Sequence, residues 1–200
     1  MQPIHVIDVY HGDEPVDFHA MKSAGVVGVI IKATQGSTIT DPKFLDYHQR
    51  ASTVFDTGCV HTYHFLDNSD PKAQASNYLT TTAGKPGRWL DFERNPNGDT
   101  CTVETACAVA HAIFGVTGRL PGIYGSDQDL LGEALDSGHF DTCPLWIAKY
   151  GNTPPKHHAD LWQFAAGMPG DQTVGGKYYD LSTYKGSAEE CKAWLQSLRV

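Results

Sequence analysis

No stretch of this 200-residue chain is apolar over the length of a membrane span. Basic residues are scarce: 15 lysines and arginines stand against 23 aspartates and glutamates, a net charge of −8. A partner held by phosphate neutralisation needs the opposite balance, so no nucleic-acid partner is expected. Adsorption to an anionic cell wall by charge alone is excluded on the same ground. The five cysteines form no Cys-x-x-Cys pair, which removes zinc-finger and thioredoxin-like readings. Their odd number leaves at least one without an intrachain partner; buried free thiols are expected in preference to a Cys101–Cys107 bridge. No His-x-x-x-His spacing is present, so neither a metal nor a cofactor is expected. The start, Met1-Gln2-Pro3-Ile4-His5, lacks the basic-then-apolar pattern of a signal peptide. That leaves retention in the cytoplasm, release by another route, or prior removal of a leader. Repeats, low-complexity tracts and linkers are missing too, and the length suits one domain with a substantial core.

What is present is a regular alternation. His5–Val9 reads as a buried strand ending at an acid, and Asp17–Gly25 as a helix with Phe18, Met21 and Ala24 on one side. The near-continuous apolar run from Val26 to Ala33 suggests a strand covered on both faces. Asp41-Pro42 predicts the cap and first turn of a helix carrying Phe44, His48, Ala51 and Phe55, with Gly58 as its stop. Cys59–Phe65, Trp89–Glu93 and Leu120–Ser126 are further strands. Helices are expected from Asp70-Pro71, from Thr102 (Val103, Ala106, Ala110 and Phe114 inward) and over Asp127–Asp136. The rhythm then changes: strands at Leu145–Tyr150, Asp160–Ala165 and Tyr178–Leu181 are separated by Pro- and Gly-rich loops too short for full helices. A last helix, about 187–198, opens on a Ser187/Glu190 capping box. Five strand–helix units followed by three strands predict an α/β fold, an irregular TIM-like (β/α)5(β)3 barrel over about 4–184, in one domain.

The polar residues fall where strands end, which in such barrels is where chemistry sits. Asp91 and Glu93 are two apart on a strand and would share a face, with Leu90 and Phe92 on the other. Paired carboxylates cannot both ionise freely, so one is held protonated, as a general acid near neutral pH requires. Alone, the triplet could equally be a strand end paired with Arg88 and Arg94. Its surroundings argue otherwise. Other strands end at Asp8 and Tyr10, at Tyr63 and His64, at Tyr124, at Trp146 and Tyr150, at Trp162 and Gln163, and at Asp180. Four carboxylates among aromatic rings suit carbohydrate hydrolysis, which needs an acid, a second carboxylate and flat faces for sugars. Metal-dependent hydrolysis is the rival chemistry; a chelator separates the two.

In order and spacing these residues resemble family 25 of the glycoside hydrolases, the Chalaropsis-type lysozymes. The likeness runs from about Ile4 to Tyr184 through Ile7-Asp8-Val9, Val29-Ile30-Ile31-Lys32-Ala33-Thr34, Asp41-Pro42-Lys43-Phe44, Tyr63-His64-Phe65, Leu90-Asp91-Phe92-Glu93, Ile123-Tyr124, Leu145-Trp146-Ile147-Ala148, Leu161-Trp162-Gln163-Phe164 and Tyr179-Asp180-Leu181. The resemblance implies a flattened barrel and cleavage of the β-1,4 bond between N-acetylmuramic acid and N-acetylglucosamine in peptidoglycan strands. It implies Glu93 as the general acid and Asp91 as the group that stabilises a substrate acetamide attacking its own anomeric carbon. Asp8 and Asp180 are implied as flanking carboxylates that hold substrate and tune Glu93. Tyr63, Tyr124 and Trp146 would line sugar subsites, and Tyr10, His64 and Trp162 are expected beside them. Action on the cell wall by a monomer is expected. The chain departs from the family pattern at Asp8-Val9-Tyr10-His11-Gly12, at Ser182 where asparagine is frequent, and in the histidines of the 152–160 loop. A chitinase-like hydrolase and a sugar-binding barrel without turnover are the competing expectations.

Overall fold

The computed structural model describes residues 2–96 and 98–198. In chain order the elements are β1 (Val6–Val9), α1 (Phe18–Ser23), β2 (Gly28–Gln35), β3 (Ile39–Thr40), α2 (Phe44–Val54) and β4 (Val60–Phe65). They continue with α3 (Pro71–Thr81), β5 (Arg88–Asp91), α4 (Val103–Thr117), β6 (Gly122–Ser126), α5 (Leu130–Asp136), β7 (Leu145–Ala148) and β8 (Leu161–Ala166). A small hairpin, β9 (Thr173–Val174) and β10 (Lys177–Tyr178), precedes β11 (Asp180–Tyr184) and α6 (Ala188–Ser197). Strands β1, β2, β4, β5, β6, β7 and β8 run parallel; β11 is antiparallel to both β8 and β1 and closes an eight-stranded barrel. This is the expected (β/α)5(β)3 architecture.

Local chemistry explains most boundaries. Asp70 accepts from Ala73 N at 2.8 Å with Pro71 in the first turn of α3, and Thr102 Oγ1 accepts from Thr105 N at 3.2 Å. The Ser187/Glu190 capping box forms as read. Several expectations shift, among them the start of α5, which is Leu130 and not Asp127. Asp41 does not cap α2, which begins at Phe44; it is buried and accepts from Lys43 N, His11 N and His11 Nδ1 instead. Phe114 is 47% exposed, because the inner stripe of α4 is Ala106, Val109, Ala110 and Ile113 and Phe114 lies one step round the helix. The eighth barrel strand starts at Asp180, with Tyr178 in the β9–β10 hairpin. The twelve residues between β7 and β8 suffice for a parallel crossover without a helix, whereas the hairpin-bearing connection to β11 returns antiparallel.

The barrel interior is packed by rings beneath the open end. Trp89 is fully buried, meets Trp146 edge-on at 5.7 Å and donates its Nε1–H to His61 Nδ1 at 3.1 Å. Its neighbour across the β5–β6 ladder is Gly122, where a Cβ would lie 2.3 Å from the indole, so the glycine makes room for the ring. Trp89→Ala is expected to cost roughly 3–5 kcal/mol in denaturant unfolding. A loss below about 1 kcal/mol would show that the ring is not the keystone of this layer. None of the five cysteines is in a disulfide. No helix among the described residues is long and apolar enough to cross a membrane.

Candidate active site

Strand β5 alternates Arg-Trp-Leu-Asp, and a period of two places Trp89 and Asp91 on the inner face with Leu90 outside. The strand ends at Asp91, two residues sooner than the sequence suggests; Glu93 sits on the bend that follows and still faces the same opening. A cleft of about 480 Å³ lies there, at the carboxyl ends of the parallel strands. Asp8, Asp91, Glu93 and Asp180 all line it, as do Tyr10, Tyr63, Tyr124 and Trp146. Asp8 and Asp180 are direct partners across the β1–β11 ladder. The arginines flanking the acid pair do not neutralise it. Arg94 pairs with Asp129 at 2.8 Å, and Arg88 begins β5 at the other end of the strand.

Two expected lining residues lie elsewhere. His64 is completely buried outside the barrel wall, its Nδ1 bonded to Thr34 Oγ1 at 2.7 Å and its Nε2 to Gln74 Oε1 at 3.2 Å, with its ring stacked on Tyr78. Because Tyr63 faces inward, its neighbour must face outward. Burial holds His64 neutral, with its pKa lowered to about 4. Trp162 is displaced for the same reason. It donates Nε1–H to Lys149 O at 2.7 Å and lines a separate recess with Pro154 and His157, while the adjacent Gln163 points in.

Gln163, a strand-end residue to which the sequence assigns no role beside Trp162, takes the inward place. Its Nε2 donates to Asp8 Oδ2 at 3.0 Å and its Oε1 accepts from the Tyr124 hydroxyl at 2.7 Å, so one amide fixes an acid and a ring. Trp146 is held likewise by Nε1–H donation to Ser182 Oγ at 2.9 Å. Lys32 was also missed. It is the lone lysine in the apolar run of β2, lies over the Phe65 ring at 4.9 Å and donates to Gln35 Oε1 at 2.9 Å. Burial lowers its pKa, and the carboxylates of Asp91, Asp41 and Glu93 oppose that. At the rim, Tyr10 is 42% exposed and a Cβ at Gly12 would meet its ring at 2.4 Å. His11 stands beside it, its Nδ1 2.7 Å from the buried Asp41 carboxylate.

The acids are held above their ordinary range. Burial raises Asp91 well above a normal carboxylate, and the neighbouring Glu93 adds to it; Asp91 Oδ1 is buried without a hydrogen-bond partner. Burial also raises Glu93, with Lys32 pulling the other way. Asp8 is raised well above the normal value by burial and then by Asp180, against the hydrogen bond from Gln163. Asp180 is pushed up to about 7 by burial and the charges of Asp13 and Glu93. A carboxyl with a higher pKa folded than unfolded binds its proton more tightly when folded. It therefore costs stability fully above the folded pKa, and that cost fades as pH falls toward the unfolded value. Asp180→Asn is accordingly expected to melt higher than the parent near pH 8, with the gap closing toward about pH 5. Melting curves of the two proteins across that range check it, and a gap that widened on acidification would refute it.

Among the described residues no group of three or more His, Cys, Asp or Glu side chains is arranged to hold a metal ion. Residues 7–171 match the sequence model of glycosyl hydrolases family 25. The autolytic lysozyme of Clostridium acetobutylicum is 29% identical over 172 residues, covering 79% of this chain and 48% of that protein; the chain thus spans about half the length of this relative. The fold superposes on the lysozyme of Streptomyces coelicolor with a TM-score of 0.83 at 23% identity, covering 99% of each chain. The muramidase of Acremonium alcalophilum gives 0.78 at 25% identity, covering 97% of this chain and 99% of that one. With the family model spanning most of the barrel, the chain belongs to glycosyl hydrolases family 25.

Proposed function

We propose that this protein is an N-acetylmuramidase that hydrolyses the β-1,4 bond between N-acetylmuramic acid and N-acetylglucosamine in peptidoglycan. The observation that carries the proposal is the convergence of Asp8, Asp91, Glu93 and Asp180 on one cleft walled by Tyr63, Tyr124 and Trp146. The names of the family relatives, lysozyme and muramidase, supply the substrate class.

Asp91 and Glu93 titrate as a pair sharing one proton. In the free cleft, burial favours that proton on Asp91, whose Oδ1 has no donor. A substrate acetamide N–H that donates to the cleft side of the Asp91 carboxylate stabilises its charged form and leaves the proton on Glu93. Glu93 then protonates the glycosidic oxygen as the C1–O bond breaks, while the acetamide carbonyl oxygen bonds to C1 to form an oxazolinium ion. Asp91 balances the positive charge on its nitrogen. Water, losing a proton to the Glu93 carboxylate, attacks C1 and opens the ring with overall retention. Asp180 raises the proton affinity of Asp8 and Asp91, Asp129 adds to that of Glu93, and Lys32 lowers those of Asp91 and Glu93.

Digestion of purified peptidoglycan, borohydride reduction and mass analysis of the new ends test the bond. Muramitol ends are expected. Glucosaminitol ends would move the cut to the other linkage, and absence of release by a folded protein would reject hydrolysis of peptidoglycan. Release that stops on adding a chelator would favour metal-dependent chemistry instead.

A further inference from the structure

Four arginines lie among the described residues, and they divide evenly. Arg50 pairs with Asp46 and Arg94 with Asp129. Arg88 and Arg119 have no carboxylate partner among the described residues, in a chain with a large excess of acids, and both line the same cavity. This cavity, about 320 Å³, opens at the end of the barrel opposite the catalytic cleft. Arg88 begins β5 and Asp91 ends it, roughly 10 Å along the strand, so the two sites share a strand and no lining residue.

Arg119 Nη1 donates to Ser197 O at 2.8 Å and is thereby fixed at the cavity edge. Arg88 is less satisfied: its Nε and Nη1 are enclosed by protein without a hydrogen-bond partner, which leaves Nη2 as the atom a ligand in the cavity can reach. A guanidinium kept out of water without a counter-charge is costly, and a carboxylate at Nη2 would supply one. Most of the rest of the wall is apolar: Ile113, Leu120, Pro144 and Leu198 line it beside Thr117 and Thr142, with the half-exposed ring of Phe114 at the margin. An inorganic anion would satisfy the guanidinium and leave these walls wet. The volume is at the small end for ligand sites and suits one or two residues of a peptide.

We propose that the cavity is a second binding site, for the terminal carboxylate of a short peptide with small apolar side chains. Arg88 and Arg119 would hold the carboxylate, and Phe114 and Leu120 the side chains. Peptidoglycan stem peptides end in such carboxylates. On the muramidase reading of the cleft, which this extension rests on, the cavity gives the enzyme a second hold on the wall, and two linked contacts bind together more tightly than either alone.

The test is a titration with N-acetyl-D-alanyl-D-alanine, followed by NMR at the arginine Nε–H and Phe114 ring resonances, beside the same dipeptide with its carboxyl amidated. Saturable shifts at Arg88 and Phe114 are expected with the acid and none with the amide. Arg88→Met and Arg119→Met should each weaken binding at least about tenfold, the worth of one charge-assisted hydrogen bond. Both variants should retain turnover on soluble peptide-free glycan, which also reports that they are folded. Should Arg88→Met not fold, Arg119→Met and Phe114→Ala carry the test. No saturable shift, equal binding of acid and amide, or acetate binding as tightly as the dipeptide would each overturn the proposal. Because the readout is binding and not turnover, its failure leaves the muramidase assignment standing, and absence of muramitol ends leaves the carboxylate site standing.

Discussion

Replacing Glu93 with glutamine is expected to lower turnover by about 10²- to 10⁴-fold, the usual worth of a positioned acid. The amide keeps the size of the side chain and its ability to hydrogen-bond, but has no acidic proton to give the leaving oxygen. Glu93 lies beyond the last ladder residue of β5, so its replacement disturbs no strand pairing. The variant should therefore fold, bind glycan and fail at the chemical step. The measurement is kcat and KM on a soluble glycan, with binding followed separately. A KM near the parent value beside the collapsed kcat is the expected split. The pH profile adds a second check. Burial raises the Glu93 pKa, so the parent should lose activity on the alkaline side as that proton is lost; the residual rate of the variant should lack this limb. Near-full activity in Glu93→Gln would remove Glu93 as the acid.

The fold was legible because its signals are local. Asp70-Pro71, Thr102 and the Ser187/Glu190 box act within one turn of chain and form as read. What tertiary structure alone decides was not visible. The antiparallel return of β11 and the β9–β10 hairpin before it depend on how the chain closes the barrel. Asp41 has the spacing of a helix cap, but its carboxylate is taken by His11, thirty residues away in sequence. The site was legible in its acids for a physical reason: Asp8, Asp91 and Asp180 each stand at a strand end on the inner face. The aromatics are less legible, because placement at a strand end alone lets adjacent residues share the mouth. Period-two alternation forbids that. Applied strictly, it sends His64 outward once Tyr63 is placed inside, and exchanges Trp162 for Gln163. The same rule, with a lysine breaking an apolar run, was the available signal for Lys32.

Asp91→Asn separates function from stability more sharply than any other change in this cleft. Turnover is expected to fall by about 10² or more, because a neutral amide cannot balance the positive charge developing on the oxazolinium nitrogen. Folding stability should move the other way. Asp91 is almost fully buried, its Oδ1 lacks a partner, and Glu93 adds a like charge, so the ionised carboxylate is an expense of the native state. Its folded pKa lies above its unfolded one, and the penalty is therefore complete at high pH and fades on acidification. Asparagine removes the titration. The variant should unfold at higher denaturant than the parent above neutral pH and converge with it near pH 4, the range where an unfolded aspartate takes up its proton. Glu93→Gln, at a less buried position, should gain less. Chemical unfolding of the three proteins at two pH values tests this. A destabilised, inactive Asp91→Asn would mean that the carboxylate is held by hydrogen bonds as a structural group. A more stable, inactive variant would mean that the barrel carries a buried charge at the end of β5 for the sake of the reaction.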